Sequence, residues 1–334
     1  MEEHKMTLSY FRMIKVLGTI LVVVLVPFVG AQERPQLDVP LMKQGARYTM
    51  SFEPPITMRG KGFDYDHQIQ VALPGTYDVQ PDKKYPVLWL TDGPGMIHLT
   101  VGLLDMLVMG NLAPEMIVVA VGTPSELGVA EFARRRSMDF APPGKQYFFD
   151  SLGGDFLKKM AGDLSNVPQK ADEFLSFLVD QVRPELAKKY RMSDDHGLFG
   201  HSGGGMFTGY ALFARPGAFS KYIIGSPSIN ASDRAVFRLE EEYAKNHNDL
   251  DVSVFFGAGD REIDNPFLAA WGIVSSPVLL AETLHLRQYP SLKVTTRIFS
   301  GKNHLTVVPD IIIEGIQTLW LDDIKALPKL FQSE

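Results

Sequence analysis

Cysteine is missing from all 334 residues of this chain. That excludes disulfides, thiolate metal sites, a cysteine nucleophile and a lipid anchor on an N-terminal cysteine. Basic clusters are lacking too: the formal charge is −6 with no basic block, so nucleic acid is not an expected partner. No His-x-x-x-His pair or carboxylate cluster stands at ligand spacing, which leaves no metal and no cofactor to expect. Internal repeats, low-complexity tracts and domain linkers are absent as well. What remains is a chain 45% hydrophobic and 22% charged, the balance of an ordinary globular protein. One large α/β domain accounts for its length without a linker.

The one long apolar run is Val16 to Val29, broken by Gly18, Thr19 and Pro27. Lys5, Arg12 and Lys15 precede it, and Val29-Gly30-Ala31 supplies small residues before Gln32. That is the layout of a secretory signal peptide over residues 1–31, with the domain running from 32 to 334. The run is shorter than the roughly 20 residues that span a bilayer comfortably. Cleavage would leave no stable membrane span and a periplasmic or secreted protein of charge −7, since the leader carries three basic and two acidic groups. Retention of the leader as an anchor is the alternative. Oligomeric state is not legible here.

Further along, Tyr85 to Leu90 and Met116 to Val121 are continuous apolar runs stopped by turn residues, as central strands buried on both faces would be. Asp66 to Leu73 partly alternates, like an edge or hairpin strand. Between residues 125 and 170 the pattern loosens into Pro, Gly and charge, a natural place for an insertion over a site. Asp172 to Tyr190 puts Phe174, Phe177, Leu178, Val182 and Leu186 on one helical face. Strands at His196–Phe199, Tyr222–Gly225, Val252–Phe256 and Val294–Phe299 alternate with helices at Met206–Ala214, Ala235–Lys245 and Pro309–Leu327. The alternation predicts a mostly parallel central sheet with helices on both faces and a loop or helix insertion over the site.

Gly200-His201-Ser202-Gly203-Gly204 joins one of those strands to one of those helices. A serine so placed fits a sharp strand-to-helix turn that pushes its hydroxyl clear of the backbone. The pattern alone is weak. Its context adds a base and an acid at the carboxyl ends of later strands, where an open parallel sheet gathers its site. After Val252–Phe256 come Asp260 and Glu262; after Val294–Phe299 comes His304. The order serine, acid, histidine is that of an α/β-hydrolase. Of the other histidines, His4 lies in the leader, His247 in a polar stretch and His285 in a helix. His67 comes too early, and His196 stands at the wrong end of its strand. His98 follows a strand and is a candidate pocket residue, as are His201 beside the serine and Arg136. Glu262 is the favoured acid, with Asp260 as the fallback.

An oxyanion hole needs N–H groups aimed at the developing charge. Gly203, directly after the serine, supplies one. The second comes from the loop after Leu90; Pro94 has no N–H, so Gly93, Gly95 or Met96 must provide it.

These residues resemble a family of bacterial putative esterases related to enterochelin (siderophore) esterases and esterase D, in the α/β-hydrolase superfamily. The likeness runs from about Tyr65 onward. It rests on Tyr85-Pro86-Val87-Leu88 leading to Asp92-Gly93, on Arg136-Ser137-Met138-Asp139-Phe140 and on Arg183-Pro184. It is most specific at the serine turn, Ser226-Pro227-Ser228, Gly259 to Glu262 and Asn303-His304. The resemblance implies Ser202 as nucleophile, Glu262 as orienting acid and His304 as base. Pro94, and Ile229-Asn230 after the Ser-Pro-Ser segment, depart from the family pattern. Arg136 and Asp139 read as an ion pair beneath the site or as a substrate contact, and Arg134 to Arg136 as surface charge. The function expected is a serine esterase that hydrolyses a small-molecule carboxylic ester, a siderophore or another aromatic ester, through an acyl-enzyme. The alternatives are an acyltransferase with the same triad and a binding protein that keeps the fold without catalysis.

Overall fold

The computed structural model describes residues 40–144 and 167–329. The expected leader and residues 145–166 of the expected insertion lie outside them. The described residues belong to one compact unit that begins at Val39. Its strands are β1 (Ser51–Phe52), β2 (Ile56–Met58), β3 (His67–Leu73), β4 (Tyr85–Leu90), β5 (Ile117–Gly122), β6 (Met192–His201), β7 (Lys221–Gly225), β8 (Ser253–Gly259) and β9 (Lys293–Phe299). Among the described residues they form one sheet in the order β1-β3-β5-β4-β6-β7-β8-β9, with β2 also paired to β3. From β5 to β9 every pairing is parallel. The β3 strand is antiparallel to β5 and is bordered on its other side by β1 and β2, so it is interior rather than an edge.

The helices are α1 (Gly93–Met109), α2 (Gly128–Asp139), α3 (Ala171–Ser176, continued through a π-helical stretch to Lys189), α4 (Gly203–Ala214), α5 (Ala231–Asn246), α6 (Pro266–Ala270), α7 (Ser275–Arg287), α8 (Val308–Leu319) and α9 (Leu321–Lys325). They cover both faces, and the strand side chains divide between two cores accordingly. Leu88, Leu90, Val118, Ala120, Phe199, Ile223 and Phe255 face one side, against α1 and α8. Val87, Trp89, Ile117, Val119, Leu198, Tyr222, Val254 and Phe256 face the other, against α3, α4, α5 and α7. A strand buried on both faces has no polar side to show, which is why these runs read as continuously apolar. Each large apolar side chain so buried contributes about 1.5–3 kcal/mol.

Two sequence expectations need correcting. Residues 128–139 are not a loosened loop but the helix α2, whose apolar face is short because Arg135 and Asp139 are among its buried side chains. The expected helix from Pro309 to Leu327 is two, α8 and α9, divided at the fully buried Trp320. The run Pro266–Arg287 is apolar and long enough to cross a membrane by composition, with 44% of its most apolar window buried inside the protein. Here it forms α6 and α7, and Leu280, Ala281 and Leu284 of α7 pack into the core.

The sheet also fixes where a site can form. The chain runs from β4 outward to β5, then returns to place β6 on the other side of β4. Such a reversal is where an open parallel sheet places its crevice, here at the carboxyl ends of β4 and β6, which lead into Asp92 and Ser202.

Candidate active site

Ser202 follows β6 and caps α4 with φ 60° and ψ −120°, a region that L side chains seldom adopt. Holding a serine there costs on the order of 1–3 kcal/mol. The surroundings supply the restraint. Ser202 N donates to Gly225 O at 2.9 Å, and Ser202 O accepts from Met206 N at 2.9 Å. The flanking glycines are required by contact. A Cβ on Gly200 would stand 2.1 Å from Gly204 O, and one on Gly204 2.4 Å from Thr91 Oγ1. Asp92 after β4 and Ser226 after β7 also have positive φ, at 62° and 38°. Strain thus gathers at three neighbouring strand ends, all on the crevice side.

Glu262 is 1% exposed in the 3₁₀ turn Asp260–Asp264 that follows β8. Its Oε2 lies 2.6 Å from His304 Nδ1. Its Oε1 accepts from Ser226 Oγ and from Gly259 N, each at 2.7 Å. Three partners at the two oxygens hold the carboxylate in one orientation. Asp260 turns elsewhere and accepts from Gly301 N at 2.7 Å, tying together the two loops that carry the acid and the histidine. Asn303 Oδ1 accepts from Leu305 N and Thr306 N, which shapes the turn presenting His304. The His304 ring then lies over that of His201, with centroids 4.5 Å apart. The structure brings the Glu262–His304 pair against the Ser202 turn; no hydrogen bond joins Ser202 Oγ to His304 in this arrangement.

Arg136 completes the group from α2. Its Nε and Nη2 grip the Asp92 carboxylate at 2.5 and 3.0 Å, and Nη2 also donates to His201 O at 3.0 Å. The remaining nitrogen, Nη1, lies 2.7 Å from where a Cβ on Gly203 would be. A guanidinium nitrogen therefore sits against the Cα of the residue that follows the serine. Among the backbone candidates, Gly95 N is engaged with Asp92 O at 3.1 Å. Met96, at the fourth position of α1, packs half-buried on the core, and Gly93 has φ 32° and its backbone against Gly122; these two remain as backbone candidates.

Residues 61–298 match the family model described as Putative esterase. The chain belongs to this family. The matched stretch takes in Ser202 and Glu262 and ends before His304. Over 183 residues the chain is 32% identical to the siderophore enterobactin esterase of Emericella nidulans, covering 52% of this chain and 57% of that protein. Against the ferri-bacillibactin esterase BesA of Bacillus subtilis, identity is 22% over 270 residues, 78% of this chain and 86% of the relative. Among solved structures, the BES protein of Bacillus cereus superposes with a TM-score of 0.66 at 25% identity, over 80% of this chain and 95% of that one. The siderophore hydrolase EstB of Aspergillus nidulans gives 0.64 at 26%, with the same coverage. The fold is that of the α/β-hydrolases.

Within this esterase-family chain, several candidate residues do other work than their positions in sequence suggested. Arg136 and Asp139 are not paired. Asp139 is buried and accepts from Tyr65 Oη at 2.5 Å, with His67 Nε2 at 2.9 Å. The reason lies in helix geometry: residues three apart are neighbours, but Asp139 ends α2 over β3 while Arg136 reaches the β4 terminus. Arg135 is not surface charge either; it is 8% exposed and donates to Asp66 O. Arg134 pairs with Glu131 at 2.7 Å. His98 is exposed on α1 and packs on Phe52, with centroids 4.9 Å apart. His201 is 4% exposed. Sequence reasoning missed the roles of Ser226 and Asp92, whose partners lie 36 and 44 residues away.

Proposed function

We propose that this chain is a serine hydrolase of carboxylic esters that works through an acyl-enzyme. The observation that carries the reading is the 2.6 Å contact between Glu262 and His304, set against a strained serine turn. In this mechanism the Ser202 Oγ–carbonyl carbon bond forms as His304 Nε2 takes the hydroxyl proton. Glu262 accepts from Nδ1–H and steadies the imidazolium. The carbonyl oxygen becomes an oxyanion facing the Gly203 N–H, the N–H of Gly93 or Met96, and Arg136 Nη1. Collapse breaks the bond to the alcohol, which leaves with the proton from His304. Water then gives a proton to His304, attacks the acyl carbon, and Ser202 leaves with that proton.

Siderophore esters are the favoured substrate class, supported by the names of the enterobactin and bacillibactin relatives. Arg134 and Arg135 offer an anionic substrate little, since both are drawn to Glu131. Arg136 is paired with Asp92 and keeps Nη1 on the serine side. The leader pattern of residues 1–31 supports a periplasmic or secreted location. The decisive experiment is labelling with a fluorophosphonate, followed by mass mapping and an ester panel. The expected result is a single adduct on Ser202 and no turnover by folded Ser202→Ala. Ester hydrolysis retained by that variant would remove the serine mechanism.

A further inference from the structure

His201 belongs to the serine turn, yet the mechanism gives it no task. Its ring is 4% exposed and inclined 42° to the His304 ring, with centroids 4.5 Å apart. Beneath it lies Gly225, where a Cβ would come within 3.3 Å of both His201 Cδ2 and Ile311 of α8. So the ring has a floor made by β7 and α8, and the His304 imidazole is its ceiling. Its own carbonyl accepts from Arg136 Nη2. Its Nε2 has no hydrogen-bond partner. A buried nitrogen left unpaired costs about 1–3 kcal/mol, and the ring's one polar tie is a hydrogen bond with the His304 backbone. Towards the His304 ring it presents a flat face.

We propose that His201 is a positioning residue for the base: its ring is the platform that keeps His304 turned with Nδ1 on Glu262 and its other nitrogen towards Ser202. The proposal rests on the reading of His304 as general base. The platform must also stay uncharged, because a second cation under His304 would oppose the imidazolium on which turnover depends. Burial, followed by the nearness of His304 and Arg136, holds the His201 imidazole well below the usual histidine range. The other charged groups around the pair are Asp92, held by Arg136, Glu262, held by His304, and the Lys302–Asp310 ion pair at the start of α8.

His201→Phe keeps a flat, uncharged face of nearly the same size; His201→Ala removes it. The test measures kcat and KM of both variants on one soluble ester across pH 5–9, with thermal melts and His304→Ala alongside. His201→Ala should lower kcat at least about tenfold with KM within about twofold, since misplacing a catalytic group by about 1 Å can cost a hundredfold. Water admitted beside His304 should also move the acid limb of kcat/KM to higher pH. His201→Phe should stay within about threefold of the native kcat and keep the native acid limb. A residue that only supports the fold would change the melt and leave that limb where it was. A folded His201→Phe as slow as His201→Ala overturns the proposal. So does a His201→Ala with native kcat and limb. If His201→Ala does not fold, His201→Phe decides alone: a folded but slow variant overturns the platform, and a native rate supports it. Turnover retained by His304→Ala would instead remove the base reading, and the platform with it.

Discussion

Two carboxylates two residues apart look alike in a sequence and differ only in what their oxygens touch. Glu262 reaches His304 and Asp260 reaches a backbone N–H of the neighbouring loop. Glu262→Gln keeps the shape but cannot stabilise the imidazolium, so kcat should fall by about three to four orders of magnitude. Asp260→Asn can still accept from Gly301 N and should stay within about threefold, as a neutral hydrogen bond contributes only about 1 kcal/mol. Steady-state kinetics on both folded variants checks this; the reverse ranking would move the acid to Asp260. Arg136→Lys tests the other side of the serine. Lysine is a point charge that cannot grip Asp92 and still present a donor beside Gly203. A loss of about 100-fold in kcat with little change in KM is expected, the size of losing one oxyanion donor. An unchanged kcat would restrict Arg136 to structure. At this scale the order of the strands pointed to Ser202, Glu262 and His304 as candidates, and the structure brings Glu262 and His304 into contact. The sequence concealed Arg136–Asp92 and Ser226–Glu262, because those pairs exist only once β4, β7 and β8 stand side by side.

At the scale of elements, the turn from β6 into α4 depends on backbone approach. Three consecutive glycines open α4 where helix propensity alone would favour alanine. Gly200→Ala should therefore destabilise the protein through contact with Gly204 O, by about 1–3 kcal/mol, the range for overpacking. Urea denaturation at neutral pH measures it, and a variant as stable as the native protein would mean that the turn relaxes freely. The central strands were legible because two-sided burial writes itself as unbroken apolar runs. The α2 helix was not legible. Its buried residues are Ala133, Arg135, Met138 and Asp139, so the helical face is hidden among charges whose partners, Tyr65, Asp66 and His67, belong to another element.

Across the whole molecule, pH dependence of stability also draws on groups far from the serine. His196 is a residue of β6 whose Nδ1 accepts from Trp89 Nε1 of β4 at 3.0 Å, so it must be neutral to hold the indole. Burial, with Arg183 adding to it, lowers its pKa from 6.5 to about 4. The unfolded chain therefore binds a proton at a higher pH than the folded one does. The stability due to neutral His196 is complete above 6.5 and is lost as pH falls through that window to about 4. Converted at 1.36 kcal/mol per pKa unit, it amounts to at most about 3 kcal/mol. His196→Gln retains an oxygen that can accept from Trp89 and does not titrate. Chemical denaturation from pH 7 to pH 4 should show a shallower fall in stability for this variant than for the native protein. The slope should decrease rather than vanish, since buried His201 is shifted in the same direction. Equal slopes in the two proteins would mean that His196 takes up its proton as readily in the folded protein as in the unfolded chain.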